Sequence, residues 1–161
     1  LYRFQCPRAH MISGPGSDQV FDWLEHHRPA DSKLAISHGD LHHDNVVPGA
    51  GGVRVIDWEI AGLAPPARDV ACTMLAMLTT YCQAPRPVRP LTTAVGRVMS
   101  QRFLRRYRAA CPTDLPDDEL AWHRVLYSLN RLFWARRAND EEGGSDETSR
   151  TRAYNNCIAF R

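Results

Sequence analysis

The spacing of apolar residues changes along the chain, and each change predicts a different element. Residues 1–16 have no apolar period and contain two prolines and two glycines, which predicts a loop. A helical spacing begins at Ser17, a candidate helix cap, and Pro29 ends it, so a helix is predicted through about Arg28. The apolar segment 34–36 then predicts a buried strand or extended segment.

A β-hairpin is predicted next, because two apolar runs, 46–47 and 53–56, flank a Pro-Gly-Ala-Gly-Gly turn. The turn contains three glycines, which are Gly49, Gly51 and Gly52. Glycine tolerates a positive φ, so we expect these residues to permit the tight reversal. Asp57 follows the second run, at the far end of the hairpin.

The remaining chain has helical spacing in three segments. The first, 67–80, is predicted to place four apolar residues on one side: Val70, Met74, Met77 and Leu78. The second, 90–109, carries an i+4 apolar series: Leu91, Val95, Met99, Phe103 and Tyr107. The third begins at Asp117 and Asp118 and is predicted to bury Leu126, Leu129, Leu132 and Phe133.

An acidic, glycine-containing segment, 140–149, predicts a loop, and a last helix or tail is expected from about Arg150. The pattern as a whole predicts a mostly helical domain with one embedded hairpin. The 161 residues correspond to about one domain, and 43% of them are hydrophobic, which is enough to bury a core.

Charge and composition narrow the class of protein. The net charge of +2 demands neither a nucleic acid nor an anionic membrane as partner. No apolar run approaches the roughly 18–20 residues of a membrane span, and no signal peptide is visible. The five cysteines are widely spaced and include no C-x-x-C pair, so we expect free thiols in a reducing cytoplasm.

The segment from His38 to Asp57 carries the candidate chemistry: H-G-D-x-x-x-x-N, the Gly-rich hairpin, and an Asp after an apolar run. Phosphoryl transfer from ATP needs one carboxylate beside the acceptor hydroxyl and another that holds magnesium on the phosphates. An amide oxygen can complete the metal shell, because magnesium prefers hard oxygen ligands. Asp40 and Asn45 lie five apart on one loop, and the hairpin returns the chain so that Asp57 can face them.

The same residues carry a family resemblance. The chain reads HGDLHHDNV and then VRVIDWEIAGLAPPARDVA. Protein kinases have H-R-D-x-x-x-x-N followed by D-F-G. The aminoglycoside phosphotransferase and choline kinase family is similar to them, with H-G-D-x-x-x-x-N, an I-D-W or I-D-F segment, and a Pro-x-x-Asp-Leu-Ala element. The present chain resembles that family over about residues 36–72.

The resemblance implies an α+β, mostly helical fold, namely the C-terminal lobe of the protein-kinase-like fold with the hairpin carrying the metal-binding Asp. It implies that Asp40 is the catalytic base or the residue that orients the acceptor hydroxyl, and that Asn45 and Asp57 bind Mg²⁺. The phosphate donor would be ATP or GTP, and the acceptor a hydroxyl of a small molecule, which is polar or cationic. Aminoglycosides, choline-like amines, sugars and amino acids are all substrates in the family, so antibiotic-resistance chemistry falls within its range.

Four further positions receive roles from the resemblance. His38 and Gly39 would shape the catalytic loop, and Asp69 would brace that loop from the following helix. Ile56 would line the floor of the nucleotide pocket. His42 and His43 are loop positions, of which one could help to place substrate.

The chain departs from the family in one respect. The smaller, N-terminal lobe of such kinases supplies a nucleotide-covering loop and a strand lysine. The only lysine here, Lys33, lies between a helix and the catalytic loop, and 37 residues precede His38. We therefore expect residues 1–161 to be a single catalytic lobe without its N-terminal partner lobe.

That expectation leaves two functions open. One is a small-molecule kinase lobe, and the other is a truncated, non-catalytic binding or scaffold domain derived from such a kinase. In either case the surface that would face the absent lobe should be apolar and exposed, which predicts self-association.

Other interpretations of the polar residues carry less weight. His38, Asp40, His42 and His43 have the side chains of a zinc site, but His123 is the only later histidine. The basic stretch Arg102, Arg105, Arg106 and Arg108 is interpreted as a solvated helix face rather than a phosphate or RNA site. Trp122 and Trp134, near Asp117, Asp118 and Glu119, could cage a cation, but core packing is the better interpretation.

Overall fold

The computed structural model describes residues 17–30, 32–80, 84–111 and 114–141, with side chains except at 17, 80 and 133–141. The helices in these ranges are α1 (Ser17–His26), α2 (Ala67–Thr80), α3 (Arg89–Ala110) and α4 (Asp117–Glu141). The strands are β1 (Ala35–Ser37), β2 (Val46–Gly49), β3 (Gly52–Val55) and β4 (Gly62–Ala64), with a 3₁₀ turn at His43–Asn45. The fold is therefore α+β and mostly helical, as the resemblance implies.

The chain divides into two compact units. One unit is Pro29–Arg124, and the other combines residues 1–28 with residues 125–161. The organisation of the whole chain as one catalytic lobe stays a prediction. The candidate site described below lies within the unit 29–124.

Helix α2 forms much of the core of the unit 29–124, because it is buried along most of its length. Its buried apolar residues are Ala67, Val70, Ala71, Cys72, Met74, Leu75 and Ala76. Burial on more than one face exceeds the one-sided stripe that the sequence predicts, and Met77 and Leu78 of that stripe are only half-buried. Helix α3 packs against α2. This packing holds the helix whose first turn contacts the H-G-D loop through Asp69.

The predicted hairpin is confirmed: β2 and β3 pair antiparallel, with Val46 opposite Val55 and Gly49 opposite Gly52. Of the three turn glycines only Gly52 has a positive φ, of 117°. The expectation of a positive φ at Gly49 and Gly51 is therefore wrong, because the chain reverses with a positive φ at Gly52 alone.

The strand predicted at 34–36 exists one residue later, as β1, and pairs with β4, which the sequence analysis missed. The two strands form a ribbon covered on one side. Ile36 and Leu63 face each other across it and are 78% and 63% exposed, whereas Ser37 and Ala64 are buried. The prediction of a buried strand is wrong because side chains of a strand alternate between faces: the face of Leu34 and Ile36 is uncovered, and on the other face Ala35 is also exposed.

The predicted boundaries of α1, α2 and α4 agree with the structure within a few residues. Leu126, Leu129 and Leu132 of α4 are buried as predicted, and the side chain of Phe133 lies outside the described residues. Helix α4 continues through Glu141, so Asp140 and Glu141 are helical rather than part of the predicted loop. The predicted loop at 1–16, residues 142–149 and the segment from Arg150 lie outside the described residues.

The apolar series predicted for the inner face of α3 is wrong in its first half. Leu91, Val95 and Met99 are 42–68% exposed, and the buried residues of α3 are Gly96 and Ser100. Each i+4 step turns a side chain about 40° around an α-helix, so four steps sweep roughly 160°. A series of that length cannot stay on one face, and small residues form the face that α3 buries.

The structure also describes the exposure of the tryptophans, arginines and cysteines that the sequence interpretations named. Trp122 is 5% exposed, which confirms core packing, and the side chain of Trp134 lies outside the described residues. The four arginines from 102 to 108 are exposed. The two described cysteines, Cys72 and Cys111, are reduced. Within the described ranges, every helix is too short or too polar to cross a bilayer.

Candidate active site

The H-G-D loop begins directly after β1 and is tied to the first turn of α2. The backbone N–H of His38 donates to Asp69 Oδ2 at 2.7 Å, and the N–H of Gly39 donates to Asp69 Oδ1 at 2.8 Å. Hydrogen bonds to a carboxylate are among the stronger ones in proteins. A carboxylate in the first helical turn is also stabilised by the helix dipole. Asp69 thus holds two consecutive peptides of the loop against α2.

Gly39 occupies a position that no other residue fits without rearrangement. Its φ is +90°, a conformation that L side chains rarely adopt. A Cβ at this position would lie 2.5 Å from Arg68 Nη2 and 2.9 Å from the carbonyl oxygen of Ile60. The glycine therefore allows the loop to lie directly on the α2 N-terminus.

The ring of His38 connects the loop to the far end of the hairpin. His38 is 2% exposed, and its Nδ1 accepts from the N–H of Asp40 at 3.3 Å. We therefore assign the ring proton to Nε2, which donates to the carbonyl oxygen of Ile56 at 2.7 Å. Both ring nitrogens contact backbone atoms, so His38 cannot serve as a zinc ligand in this arrangement.

Asn45 is buried beneath the loop and is oriented by it. Its Nδ2 donates to the carbonyl oxygen of Asp40 at 2.9 Å. Because the amide nitrogen makes this bond, Oδ1 is the atom that can serve as a ligand. The carbonyl oxygen of Asn45 accepts from the N–H of Ile56 at 3.0 Å, which extends the hairpin ladder by one pair. Asp57 consequently lies one residue beyond the partner of Asn45.

Asp57 has an unusual backbone conformation, with φ of +63°. Left-handed residues other than glycine are uncommon and cost of order 1 kcal/mol, although Asp and Asn tolerate the conformation better than most. Ile56, the residue before Asp57, is held by hydrogen bonds with Asn45 and His38. Trp58, the residue after it, donates through Nε1 to the carbonyl oxygen of Val55 at 2.9 Å. These contacts hold the corner that carries the exposed carboxylate of Asp57.

The carboxylate of Asp40 is half exposed, and each of its oxygens has a contact. Cys72 Sγ donates to Oδ1 at 3.6 Å, and His42 Nε2 lies 3.3 Å from Oδ2. The sequence analysis missed Cys72. Its signal was available, because Cys72 lies three residues after Asp69 and therefore on the same side of α2. Thr73, four residues after Asp69, donates through Oγ1 to the carbonyl oxygen of Leu41 at 2.8 Å.

The hydrogen bonds bring the sequence-predicted residues into one network. It joins His38, Gly39, Asp40, Asn45, Ile56 and Asp69, with Asp57 adjacent to Ile56. Ile56 is 45% exposed, so its side chain is accessible from outside the loop. Their catalytic roles stay predictions.

Three neighbouring side chains, those of His42, His43 and Asp44, have ligand atoms within 4.8 Å of one another. Two imidazoles and a carboxylate form a donor set that suits zinc rather than magnesium. His43 and Asp44 are exposed, and exposed groups of this kind commonly come together without an ion. The cluster is distinct from the hard oxygen donors of Asn45 and Asp57.

Behind the loop, His123 of α4 is 1% exposed. Burial, together with the positive charge of Arg68, lowers the pKa of His123 to about 4. The ring is therefore neutral at pH 7. Burial, with a hydrogen bond to Cys111, raises the pKa of Tyr107 in α3 to about 12.

A loop braced by a helix-borne Asp, an Asn beneath it and an Asp at the end of a hairpin occur together here, as the resemblance to the phosphotransferases of kinase-like fold implies. The model of the phosphotransferase enzyme family matches residues 14–94, half of the chain. The chain belongs to that family.

A solved structure and several curated proteins are similar to the chain. A crystal structure of aminoglycoside-3'-phosphotransferase of type VIII matches with a TM-score of 0.52 and 28% identity, over 72% of this chain and 40% of that chain. Thiamine kinase of Salmonella paratyphi B is 31% identical over 50% of this chain and 28% of its own length. Methylthioribose kinase of Erwinia tasmaniensis is 31% identical over 44% of this chain and 18% of its own length.

The chain is also 34% identical to acyl-CoA dehydrogenase family member 10 of Mus musculus, over 45% of this chain and 7% of that protein. The chain thus spans between 7% and 28% of the length of these curated relatives.

Proposed function

We propose that the full protein containing this chain transfers the γ-phosphoryl group of ATP to a hydroxyl of a small polar or cationic molecule. The observation that carries the proposal is the presentation of Asp40. Its carboxylate is half exposed on a loop whose peptides are tied to α2 through Asp69 and to the hairpin through His38. Membership of the phosphotransferase family and the two small-molecule kinases among the relatives support the same reaction.

Asp40 is the proposed catalytic base. An ionised carboxylate on a rigid loop can accept a hydrogen bond from an acceptor hydroxyl, aim its oxygen at the phosphorus and take the proton as the bond to phosphorus forms. The bond between the γ-phosphorus and the bridging oxygen of ATP breaks, and ADP leaves. Because catalysis of this kind depends mainly on positioning, the hydrogen bonds that fix the loop are part of the proposed mechanism.

Asn45 and Asp57 are the proposed ligands of a divalent cation, with Mg²⁺ as the expected ion. The donor chemistry fits, because one amide oxygen and one carboxylate are hard ligands, and magnesium takes few ligands from the protein. When bound, the ion would neutralise negative charge on the phosphate oxygens. Asn45 contributes an amide already oriented by its bond to Asp40, and Asp57 contributes a carboxylate at a fixed backbone corner.

Ile56 is the proposed floor of the nucleotide pocket, where its partly exposed side chain would contact the base or ribose of ATP. GTP is the alternative donor. A cytoplasmic location fits the proposal, because the reaction consumes ATP and because the two described cysteines are reduced.

The apolar surface between residues 34 and 63 supports a proposal about a partner segment. Nine large apolar side chains there are more than a third exposed: Leu34, Ile36, Val46, Val53, Val55, Ile56, Trp58, Ile60 and Leu63. Exposed apolar groups of this extent mark surfaces that another segment covers. The chain spans 40% of the aminoglycoside phosphotransferase chain, so we propose that the remainder of a two-lobed kinase covers this surface.

A second function, a binding or scaffold domain without catalysis, rests on the same apolar surface. The two functions are distinguished by nucleotide binding. Calorimetry on the full-length protein should detect magnesium-dependent ATP binding in the micromolar range, and Asp57→Asn should weaken it at least tenfold while keeping the left-handed backbone that Asn tolerates. If ATP does not bind, the scaffold function is supported instead. The same holds if the affinity for ATP is unchanged both in Asp57→Asn and in the absence of magnesium.

A further inference from the structure

The two contacts of the Asp40 carboxylate come from different parts of the fold. His42 lies two residues further along the catalytic loop, and Cys72 belongs to α2. His42 Nε2 lies 3.3 Å from Oδ2, and Cys72 Sγ lies 3.6 Å from Oδ1. The carboxylate group therefore has one neighbour on each oxygen, and a rotation about its side-chain bonds would break at least one of these contacts.

The contact of His42 with Asp40 depends on the tautomer of its ring. Nδ1 of His42 accepts from the N–H of Asp44 at 3.3 Å, which caps the 3₁₀ turn, and also lies 3.4 Å from Asp44 Oδ2. In the neutral ring, an Nδ1 that accepts from this N–H leaves the proton on Nε2, and Nε2–H then donates to Asp40 Oδ2. The amide nitrogen of Asn45, also 3.3 Å from Nε2, has two protons and donates one to the carbonyl oxygen of Asp40. Its second proton would meet Nε2 as an acceptor only in the opposite tautomer, so the positioning role requires the proton on Nε2.

The contact of Cys72 is anchored by the same helix face that holds the loop. Asp69, Cys72 and Thr73 lie at positions i, i+3 and i+4 of α2, and all three reach the segment 38–41. Cys72 is 2% exposed, so its thiol is held by packing and cannot be replaced by solvent. A thiol is a weak donor, and its contribution is mainly to fix the position of Oδ1.

We propose that His42 and Cys72 are positioning residues that hold the carboxylate of Asp40 in one orientation for the acceptor hydroxyl. The proposal rests on the proposed function, because it assigns these residues a role through the catalytic base. It assigns neither residue a contact with substrate. A displacement of about 1 Å in a reacting group can cost on the order of 100-fold in rate, so loss of either contact should appear in kcat.

The test separates capping from positioning at His42. His42→Asn keeps an acceptor near the position of Nδ1, since Asn is a good cap, but it cannot reach Asp40. His42→Gln can place an amide N–H near the position of Nε2. At the second contact, Cys72→Ala removes the donor and Cys72→Ser keeps one. All four variants are made in the full-length protein, with thermal unfolding as the check that each folds.

We expect His42→Asn to lower kcat by about 10- to 100-fold with the KM for ATP changed less than about twofold. His42→Gln should recover at least part of kcat. Cys72→Ala should lower kcat by a few-fold, and Cys72→Ser should retain more of it. If His42→Asn and Cys72→Ala both retain kcat within twofold while Asp40→Asn is inactive, the positioning roles are refuted and the proposed function stands.

A second readout does not depend on turnover. In the same full-length protein labelled with ¹⁵N-histidine, proton–nitrogen correlation at about pH 8, where an ordinary histidine ring is neutral, reports which ring nitrogen of His42 carries the proton. The signal is assigned by its loss in His42→Asn. A proton on Nε2 that responds to Asp40→Asn supports the contact even if no acceptor has been identified, and a proton on Nδ1 refutes it.

Discussion

At the scale of single residues, Gly39 and His123 occupy positions where a side chain is either excluded or desolvated. Gly39 is the first case, since a Cβ there would lie 2.9 Å from the carbonyl oxygen of Ile60 and the φ is positive. We expect Gly39→Ala to lower the free energy of unfolding by about 1–3 kcal/mol and to impair phosphoryl transfer. Gly51→Ala is the matched control, because nothing lies within 4 Å of its added Cβ.

Chemical denaturation of both variants checks this prediction. The control should change the free energy of unfolding by less than about 0.5 kcal/mol. Equal effects at the two positions would contradict the close approach of the loop to α2.

His123 gives a prediction for pH. Its pKa in the folded protein, about 4, lies below the ordinary value of 6.5, so the unfolded chain binds a proton first as the pH falls. The associated stability is complete above about pH 6.5 and is lost progressively toward pH 4. Between pH 7 and pH 5 the wild type should lose about 2 kcal/mol more than His123→Phe. Urea unfolding at the two pH values measures the difference, and parallel losses would show that burial of His123 does not lower its pKa.

At the scale of elements, α2 carries the loop through Asp69. Asp69→Asn replaces one of two carboxylate oxygens by an N–H₂ group, which leaves the N–H of either His38 or Gly39 without its acceptor. We expect a loss of about 1–3 kcal/mol in unfolding free energy and a lower kcat. Asp114→Asn, at an exposed position, is the control. A variant of Asp69 with wild-type stability and turnover would contradict the bracing contact.

The elements also show which features could be predicted from the sequence. Helix α2, the β2–β3 hairpin and the start of α4 were predictable, because apolar spacing, glycine turns and helix-start acids are local signals. Strand β4 was not, since Gly62–Ala64 is only three residues long and is defined by its pairing with β1. The buried face of α3 was missed because long-range packing against α2 selects Gly96 and Ser100, which carry no hydrophobic signal.

The candidate site likewise contains features with a local sequence signal and features that depend on long-range contacts. The motif spacing identified Asp40, Asn45 and Asp57, and the helical spacing from Asp69 could have identified Cys72 as well. The left-handed backbone of Asp57, by contrast, depends on contacts from the hairpin and was not predictable from the motif.

At the scale of the molecule, the exposed apolar surface between residues 34 and 63 predicts behaviour in solution. The 161-residue chain expressed alone should self-associate, because this surface would lack the segment proposed to cover it. The double substitution Ile36→Ser and Leu63→Ser removes a facing pair of exposed side chains and should shift the chain toward monomer. Light scattering over a concentration series measures this, and a monomeric wild-type chain would contradict the prediction.

The central claim is that Asp40 is the base of a phosphotransferase. The most direct measurement is transfer of the γ-phosphoryl group from radiolabelled ATP by the full-length protein, screened against hydroxyl-bearing amines, sugars, thiamine and aminoglycosides. If Asp40 is the base, we expect a labelled product with at least one acceptor class. We also expect kcat of Asp40→Asn to be at least about 10³-fold below that of the wild type, with the fold intact. Transfer that persists in Asp40→Asn, or ATP binding with no transfer to any of these acceptors, would contradict it.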